Sequence, residues 1–316
     1  MIRTRIAPTP SGFLHAGNGM SFIVTWVLAR AYEGKILLRI DDLDANRIRP
    51  EYVDDIFRTL DWLGLDYDEG PKGVDDFLKN YSQHTRIELY RNALENLKNR
   101  KGVYACNCSR KIIKDLSING LYPNICREKG LDFVEKDVAW RVNVPENASV
   151  HFQEFDPIFL KNNISPEYYL AGTMGDFVVR RKNGLPAYQI ASLVDDVHYN
   201  INFIMRGEDL LNSTAAQVYL AQQLGYDNFC KNTFFHHTLL KNTEGGKLSK
   251  SAGDIALKTQ RENGFSPKEL YKNVGKWLGF VEDIDNLGDL LVLAINRINS
   301  YGKLYISDIL TTDDTD

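Results

Sequence analysis

Two short segments of the chain carry residue types suited to handling phosphate. The first runs Pro8-Thr9-Pro10-Ser11-Gly12-Phe13-Leu14-His15-Ala16-Gly17-Asn18. The second is Lys247-Leu248-Ser249-Lys250-Ser251, with Gly245-Gly246 before it and Ala252-Gly253 after it. In the first, a glycine-bearing turn opens onto a helical pattern. Helix N-termini offer unpaired N–H groups and the positive end of the dipole, which suit phosphate. Gly17 has no Cβ, so a flat ring or a phosphate can come close, and His15 and Asn18 can donate hydrogen bonds to its oxygens. A lone histidine is more simply a surface or capping residue; the setting between Pro-Ser-Gly and Gly-Asn favours the phosphate reading. In the second segment, Lys247 and Lys250 are compact charges three residues apart that can follow a phosphate as it moves. Glycines on both sides predict a mobile loop. The plainer alternative is a solvated basic loop.

These residues need elements to position them. Residues 2–7 read as a strand, broken by Pro8, Pro10 and Gly12. The spacing of Met20, Ile23, Val24, Val27, Leu28 and Ala31 predicts a helix over 17–32, with Gly34 as its C-cap. Residues 35–40 form an apolar run fit for a buried parallel strand, ending in Asp41-Asp42-Leu43-Asp44. This β-turn-α-β unit predicts an α/β fold with a doubly wound parallel sheet, whose ligands sit beyond the C-terminal strand ends. Residues 9–18 and 41–44 both lie there.

Helices are expected at 51–64 and 82–100. The texture changes near Val103. Residues 104–174 hold three of the four cysteines and short alternating strands such as 138–144, and read as an insertion of α+β character. From Gly175 the alternation returns, with segments 177–180, 188–194 and 203–206 and a helix over 213–224. The expected organisation is a catalytic domain in two halves, 1–103 and 175–253, the insertion 104–174, and a short, mostly helical C-terminal region 254–316 with a loose acidic tail.

The 316 residues are 43% apolar and 25% charged, which is an ordinary globular composition with room for a sizeable core. A net charge of −4 argues against a general electrostatic nucleic-acid binder. Any RNA contact must come from local patches such as Arg180-Arg181-Lys182. No apolar run reaches the ~18 residues of a membrane span. The opening Met1-Ile2-Arg3-Thr4-Arg5 leads into no apolar signal region, so a cytoplasmic protein is expected. Nothing in the sequence demands more than a monomer.

Four cysteines in a chain of this length do not suggest a disulfide scaffold, and clustered ones in a reducing compartment suggest metal. Cys106-Asn107-Cys108 is followed by thirteen residues, Tyr122, three more residues and Cys126. Two thiolates at this spacing can share one ion and a third can close round it, with one N or O ligand completing a tetrahedral zinc site. Three small buried hydrophobes fit the spacing equally well. Cys230 lies far off and reads as a core thiol.

Taken together, the two phosphate-handling segments resemble the HIGH and KMSKS signatures of class I aminoacyl-tRNA synthetases, closest to the glutamyl branch. The resemblance covers residues 3–110 and 175–253. It rests on Arg3-Thr4-Arg5-Ile6-Ala7-Pro8-Thr9, Leu38-Arg39-Ile40-Asp41-Asp42-Leu43-Asp44, Leu60-Asp61-Trp62-Leu63-Gly64-Leu65-Asp66, Pro186-Ala187-Tyr188, Ser192, Asp195-Asp196, Arg206-Gly207-Glu208-Asp209, Phe235-His236 and Leu239-Leu240-Lys241-Asn242. It implies a Rossmann-like domain that activates an amino acid with ATP and passes it to an RNA. A carboxylate would attack the α-phosphorus of ATP and pyrophosphate would leave. That reaction needs placement and charge stabilisation rather than a protein nucleophile. The implied catalytic and ATP-binding residues are His15, Asn18, Lys247 and Lys250, with Gly17. Mg2+ would bridge the phosphates, with no ligand residue named by the sequence.

The same resemblance implies a glutamate pocket. Arg5 and Arg206 would fork the carboxylates, Asp41 would hold the ammonium group, and Tyr188, Ala7 and Thr9 would complete the lining. The alternative for Arg5 is an ion pair with a carboxylate at the edge of the core. Two positions depart from the glutamyl pattern: Asp41 stands where Glu is usual, as in the glutaminyl branch, and Ser192 where Asn is frequent. Arg206 still favours glutamate, because a buried arginine facing a neutral amide is left unpaired.

The order Cys106, Cys108, Tyr122, Cys126 resembles the zinc site of glutamyl-queuosine tRNA(Asp) synthetases, where a tyrosine oxygen is the fourth ligand. His151 is the less favoured substitute. Four protein ligands imply a structural metal. After Ser251 only 65 residues remain, too few for the anticodon-binding region of a complete glutamyl-tRNA synthetase. The resemblance thus implies activation of glutamate and its transfer to the queuosine base of tRNA(Asp), with the anticodon arm as partner and an unstacked loop base supplying selectivity. Two rivals are a compact glutamyl-tRNA synthetase that charges the acceptor end and a silent paralogue that binds tRNA or glutamate. Intact His15, Lys247 and Lys250 argue against the second.

Overall fold

The computed structural model describes residues 1–44, 48–117, 119–134, 137–156, 161–238 and 256–301. Strand β1 (Arg3–Ile6) leads through the Pro-rich turn into helix α1 (Ala16–Ala31), and β2 (Lys35–Leu38) returns parallel to β1, with Arg3 opposite Lys35 and Ile6 opposite Leu38. The helix ends differently from expectation. Glu33, at φ 54°, is the left-handed residue after the helix, and the Gly34 N–H reaches back to the Ala29 carbonyl at 2.7 Å. Gly34 is needed for another reason: a Cβ there would stand 2.9 Å from both the Cβ and the carbonyl oxygen of Ile2. The turn is pressed onto the first strand, and only glycine fits.

The later strands are β3 (Val103–Cys106), β4 (Ala139–Val142), β5 (Ser149–Val150), β6 (Gln153–Asp156), β7 (Lys161–Ile164), β8 (Tyr168–Tyr169), β9 (Val178–Arg180), β10 (Phe203–Gly207) and β11 (Thr233–His237). β10, β11 and β6 run parallel in that order, and β7 closes the edge antiparallel to β6. Asn202, just before β10, donates its N–H to the Arg3 carbonyl at 3.0 Å, which brings β10 alongside β1. A separate antiparallel sheet has the order β3-β4-β9, and β5 pairs with β8.

Within residues 104–174, β6 and β7 belong to the parallel sheet, while β9, from the segment after Gly175, completes the antiparallel one. The pairing is long-range, so local composition at 104–174 carries no sign of it.

Helices α2 (Pro50–Trp62), α3 (Val74–Asp76), α4 (Ile87–Asn99), α5 (Arg110–Leu116), α6 (Leu170–Thr173), α7 (Tyr188–His198), α8 (Leu211–Leu224), α9 (Asp227–Cys230), α10 (Leu257–Glu262), α11 (Lys268–Trp277) and α12 (Leu287–Tyr301) follow. Alternate strand residues feed two separate cores. Ile36, Leu38, Phe203, Met205 and Phe235 join α1, α2, α11 and α12; Leu37, Ile204 and Phe234 join α4, α7 and α8. Since successive strand residues face opposite ways, helices cover both faces of the parallel sheet, as a doubly wound architecture requires. Helices α10 to α12 occupy the described part of the C-terminal region, and 302–316 lie outside the described residues. Among the described residues no helix is long and apolar enough to cross a membrane.

Candidate active site

A cleft of about 510 Å³ opens over the C-terminal ends of β1, β10 and β11. Its walls bring together Arg5, Ala7, Thr9, His15, Gly17, Asn18, Asp41, Tyr188 and Arg206. Every residue singled out from the sequence for ATP or glutamate is therefore in one cleft, apart from Lys247 and Lys250, which lie outside the described residues. The residues bracketing that segment are at the same place. Thr238 lines the cleft, and the Leu257 N–H bonds the Leu14 carbonyl at 2.8 Å, one residue before His15.

His15 occupies the N-cap of α1 in extended conformation, and its backbone N–H donates to Asn18 Oδ1 at 3.1 Å. The carbonyl end of Asn18 thus serves the helix cap, and its amide nitrogen is the end suited to donate to phosphate. A Cβ on Gly17 would stand 3.1 Å from Cε1 and Nδ1 of the His15 ring. Glycine at 17 accordingly sets where the imidazole lies. Gly17→Ala is expected to shift the ring by a few tenths of an ångström and slow the activation step about tenfold, while melting stays unchanged or rises, because alanine is the better helix former by up to ~1 kcal/mol. Activity and melting measured on the same preparation check this. Normal activity would rule out the imidazole position as critical.

Arg206 comes from β10 and is 4% exposed. Its Nη1 donates to Gln217 Oε1 at 2.9 Å and its Nη2 to Thr214 Oγ1 at 2.7 Å, both from α8. Its Nε has no hydrogen-bond partner, and among the described residues no carboxylate forms an ion pair with it. Burial lowers its pKa below the ordinary arginine value, opposed by the neighbouring Tyr188. A buried cation without a counter-ion is costly, and here it faces a cleft large enough for a ligand.

Arg5 presents a contrast. Its Nε donates to Asp196 Oδ1 at 2.9 Å and its Nη1 to the Met205 carbonyl. The ion pair weighed as an alternative for Arg5 is thus formed, and Nη2 is the part left for a ligand. Asp41 is likewise engaged, since Arg39 forks it through Nε at 2.8 Å and Nη2 at 3.1 Å. Burial raises the pKa of Asp41, and Arg39 opposes that rise. Arg39 also reaches Asp196 at 2.7 Å and Ser192 Oγ at 3.2 Å. Behind them, Asp195 accepts from Arg86, Tyr90 and Gln83. Burial opposes its ionisation, but Arg86 and Arg39 win and its pKa is lowered. This buried lattice ties β1, β2, α4 and α7 together beneath the cleft.

Several lining residues escaped the sequence reading. His237 donates or accepts at Ser21 Oγ (2.9 Å) and stacks on Trp277 of α11 with centroids 4.8 Å apart. Burial lowers the pKa of His236 and of His237, so both are neutral near pH 7. Asp195-Asp196 and His236 were visible as motif residues; Thr214, Gln217 and Trp277 sit in helices whose local sequence gives no signal.

The cysteine cluster is built apart from the cleft. Cys106 ends β3, and the sulfurs of Cys106, Cys108 and Cys126 lie within 4.8 Å of one another, all buried. Tyr122 Oη sits 3.4 Å from Cys106 Sγ and 3.5 Å from Cys108 Sγ, and accepts the Cys126 N–H at 3.0 Å. Arg141 donates to Cys106 Sγ at 3.4 Å and lies 3.7 Å over the Tyr122 ring. Although burial opposes ionisation of Cys126, hydrogen bonds from Tyr122 and Cys108 bring its thiol down to about 7. Three sulfurs and a phenol oxygen converging on one point, beside a compensating cation, fit a tetrahedral S3O metal site.

Comparison with known proteins agrees with this geometry. Residues 1–287 match the family described as tRNA synthetases class I (E and Q), catalytic domain. The chain is 36% identical over 305 residues to a Glutamyl-Q tRNA(Asp) synthetase of Verminephrobacter eiseniae, covering 93% of this chain and 96% of that one. It is 31% identical over 326 residues to Glutamate--tRNA ligase 2 of Syntrophus aciditrophicus, covering 98% of this chain but only 64% of the relative. In fold it resembles the crystal structure of a glutamate-tRNA synthetase from Elizabethkingia anophelis, with a TM-score of 0.72 at 24% identity, over 92% of this chain and 65% of that one. A family match over nine-tenths of its length, converging with the cleft, shows that the chain belongs to the class I tRNA synthetases of the E and Q type.

Proposed function

We propose that the chain activates glutamate with ATP to glutamyl-adenylate and transfers the glutamyl group to the queuosine base in the anticodon arm of tRNA(Asp). The observation that carries the glutamate reading is Arg206, a buried cation facing the cleft whose hydrogen-bond partners among the described residues are neutral. A substrate carboxylate supplies the missing counter-charge. Arg206, with the remaining donor of Arg5, would pair with carboxylate oxygens of glutamate, Tyr188 would line the side-chain pocket, and Asp41 would hold the ammonium group. The α-carboxylate would then attack the α-phosphorus, forming the mixed anhydride as the bond to pyrophosphate breaks. His15 and Asn18 at the α1 N-terminus would donate to phosphate oxygens, and Lys247 and Lys250 would follow the charge onto the leaving pyrophosphate. Mg2+ would accompany the nucleotide.

Queuosine as acceptor is supported by near-complete coverage of Glutamyl-Q tRNA(Asp) synthetases, at 36% identity for one and 32% for another from Nitratidesulfovibrio vulgaris, and by the S3O cluster. In this reading Cys106, Cys108, Tyr122 and Cys126 hold a structural zinc ion that fixes the fold of the segment following β3. The test is transfer of labelled glutamate to tRNA from two sources, one containing queuosine and one lacking it. Label confined to the queuosine-containing tRNA is the expected result. Equal label on both would replace this acceptor with the ordinary acceptor end. No label on either, together with no glutamate-dependent ATP–pyrophosphate exchange, would leave a silent tRNA- or glutamate-binding protein.

A further inference from the structure

Arg206 is the end of a longer chain of contacts. Its Nη2 donates to Thr214 Oγ1, and that oxygen lies 2.7 Å from His236 Nε2. His236 Nδ1 lies 2.8 Å from Glu154 Oε1. The members come from four elements: β10, α8, β11 and β6. Arg206 and His236 are register partners in the β10–β11 pair, and Glu154 is on the next strand. Thr214 is fully buried, the His236 side chain is 3% exposed, and Glu154 is 29% exposed at the outer end.

The chemistry of the groups fixes the order of protons. A carboxylate only accepts, so His236 Nδ1–H donates to Glu154. The other nitrogen of a neutral imidazole then accepts, so Thr214 gives its single proton to His236 Nε2 and uses a lone pair for Arg206 Nη2. The Leu210 carbonyl, 3.3 Å from the Thr214 hydroxyl, is the weaker competitor for that proton. Phe152 and Phe234 hold the His236 ring from its edge and its face, and Phe234 lies under the guanidinium 5.6 Å from its centre.

We infer that Glu154, His236 and Thr214 form a positioning relay that aims Arg206 at the substrate carboxylate without neutralising it. The inference rests on the glutamate reading of the cleft. Were a protein carboxylate bonded directly to Arg206, it would occupy the place of the ligand. Two neutral groups stand between Glu154 and the guanidinium, so orientation is passed along the chain while the cation stays unpaired. The relay residues are positioning residues, since none of them lines the cleft.

The experiment is ATP–pyrophosphate exchange with Thr214→Val, Thr214→Ser and Glu154→Ala, with melting recorded for each. Thr214→Val preserves shape and removes the acceptor. It is expected to raise KM for glutamate roughly ten- to hundredfold, the range for a lost hydrogen bond to a charged group, while KM for ATP stays within about twofold. Thr214→Ser restores the hydroxyl and is expected to recover glutamate KM to within about threefold of the parent. Glu154→Ala, at the half-exposed end, acts in the same direction by about threefold or more and carries the test if Thr214→Val does not fold. An unchanged glutamate KM in the folded variants, equal rises for glutamate and ATP, or no recovery with serine would overturn the relay. A parent protein silent with glutamate would overturn the substrate reading, and the relay with it.

Discussion

Replacing Arg206 by glutamine is expected to cut kcat/KM for glutamate-dependent ATP–pyrophosphate exchange by roughly 10³-fold or more, since a site built to bond a polar group rejects the unmatched partner by 10⁴–10⁵ in favourable cases. Folding should not suffer in proportion. Among the described residues Arg206 is buried with the neutral side chains of Gln217 and Thr214 as hydrogen-bond partners and Tyr188 beside it, and burial together with the neighbouring Arg5 lowers its pKa. Removing a desolvated cation that has no counter-ion relieves a cost to the folded state. The variant should therefore melt at or above the temperature of the parent while losing glutamate. Exchange kinetics and a melting curve on one sample decide the matter. Retained glutamate activity would sink the assignment of Arg206 to the substrate carboxylate, and a collapse in melting would recast the residue as structural.

Removing metal from the cysteine cluster should have the largest effect on stability. Purified protein is expected to carry about one zinc per chain, as a tetrahedral site of four protein ligands holds one ion. Cys126→Ser, or a strong chelator, should lower the melting temperature by about 5 °C or more and open amide exchange across residues 106–126, because metal binding energy is folding energy in such sites. Among the described residues, the hydrophobic side chains packed against the cluster are Tyr104, Ile113, Ile125 and Leu131, which make a small satellite with little apolar area of its own. Metal-free protein with unchanged melting and full activity would refute a structural ion and leave three packed thiols.

How much of this was legible in the sequence depends on the distance over which the determining contacts act. β1, α1 and β2 are written in local periodicity, and the structure forms them close to their expected limits. Gly34 was read by the common rule that glycine ends helices, yet the requirement comes from Ile2 across the unit. The membership of β6 in the parallel sheet was illegible, because its partner β11 lies far along the chain and four residues carry no mark of which strand they will meet. The cleft follows the same division. His15, Gly17, Asn18, Asp41 and Arg206 sit in motifs with recognisable chemistry. Thr214, Gln217 and Trp277 matter through what they face, which only the packed helices reveal. Arg5 was readable in two ways, and its bond to Asp196 shows that lining a cleft and joining a buried ion pair are compatible.

The order β10-β11-β6-β7 has a bearing on how the molecule assembles. Gln153 opposes Thr233, and Glu154 opposes Phe234. β6 thus waits for β11, which lies much later in the chain, and closing so long a loop is slow. The same order decides what can be pared away. Excising residues 104–174 to obtain a minimal core would strip β11 of one neighbour and leave an unpaired parallel edge beside the cleft, a template for association between molecules. A smaller version of this protein must keep β6 and β7 or supply a substitute for them.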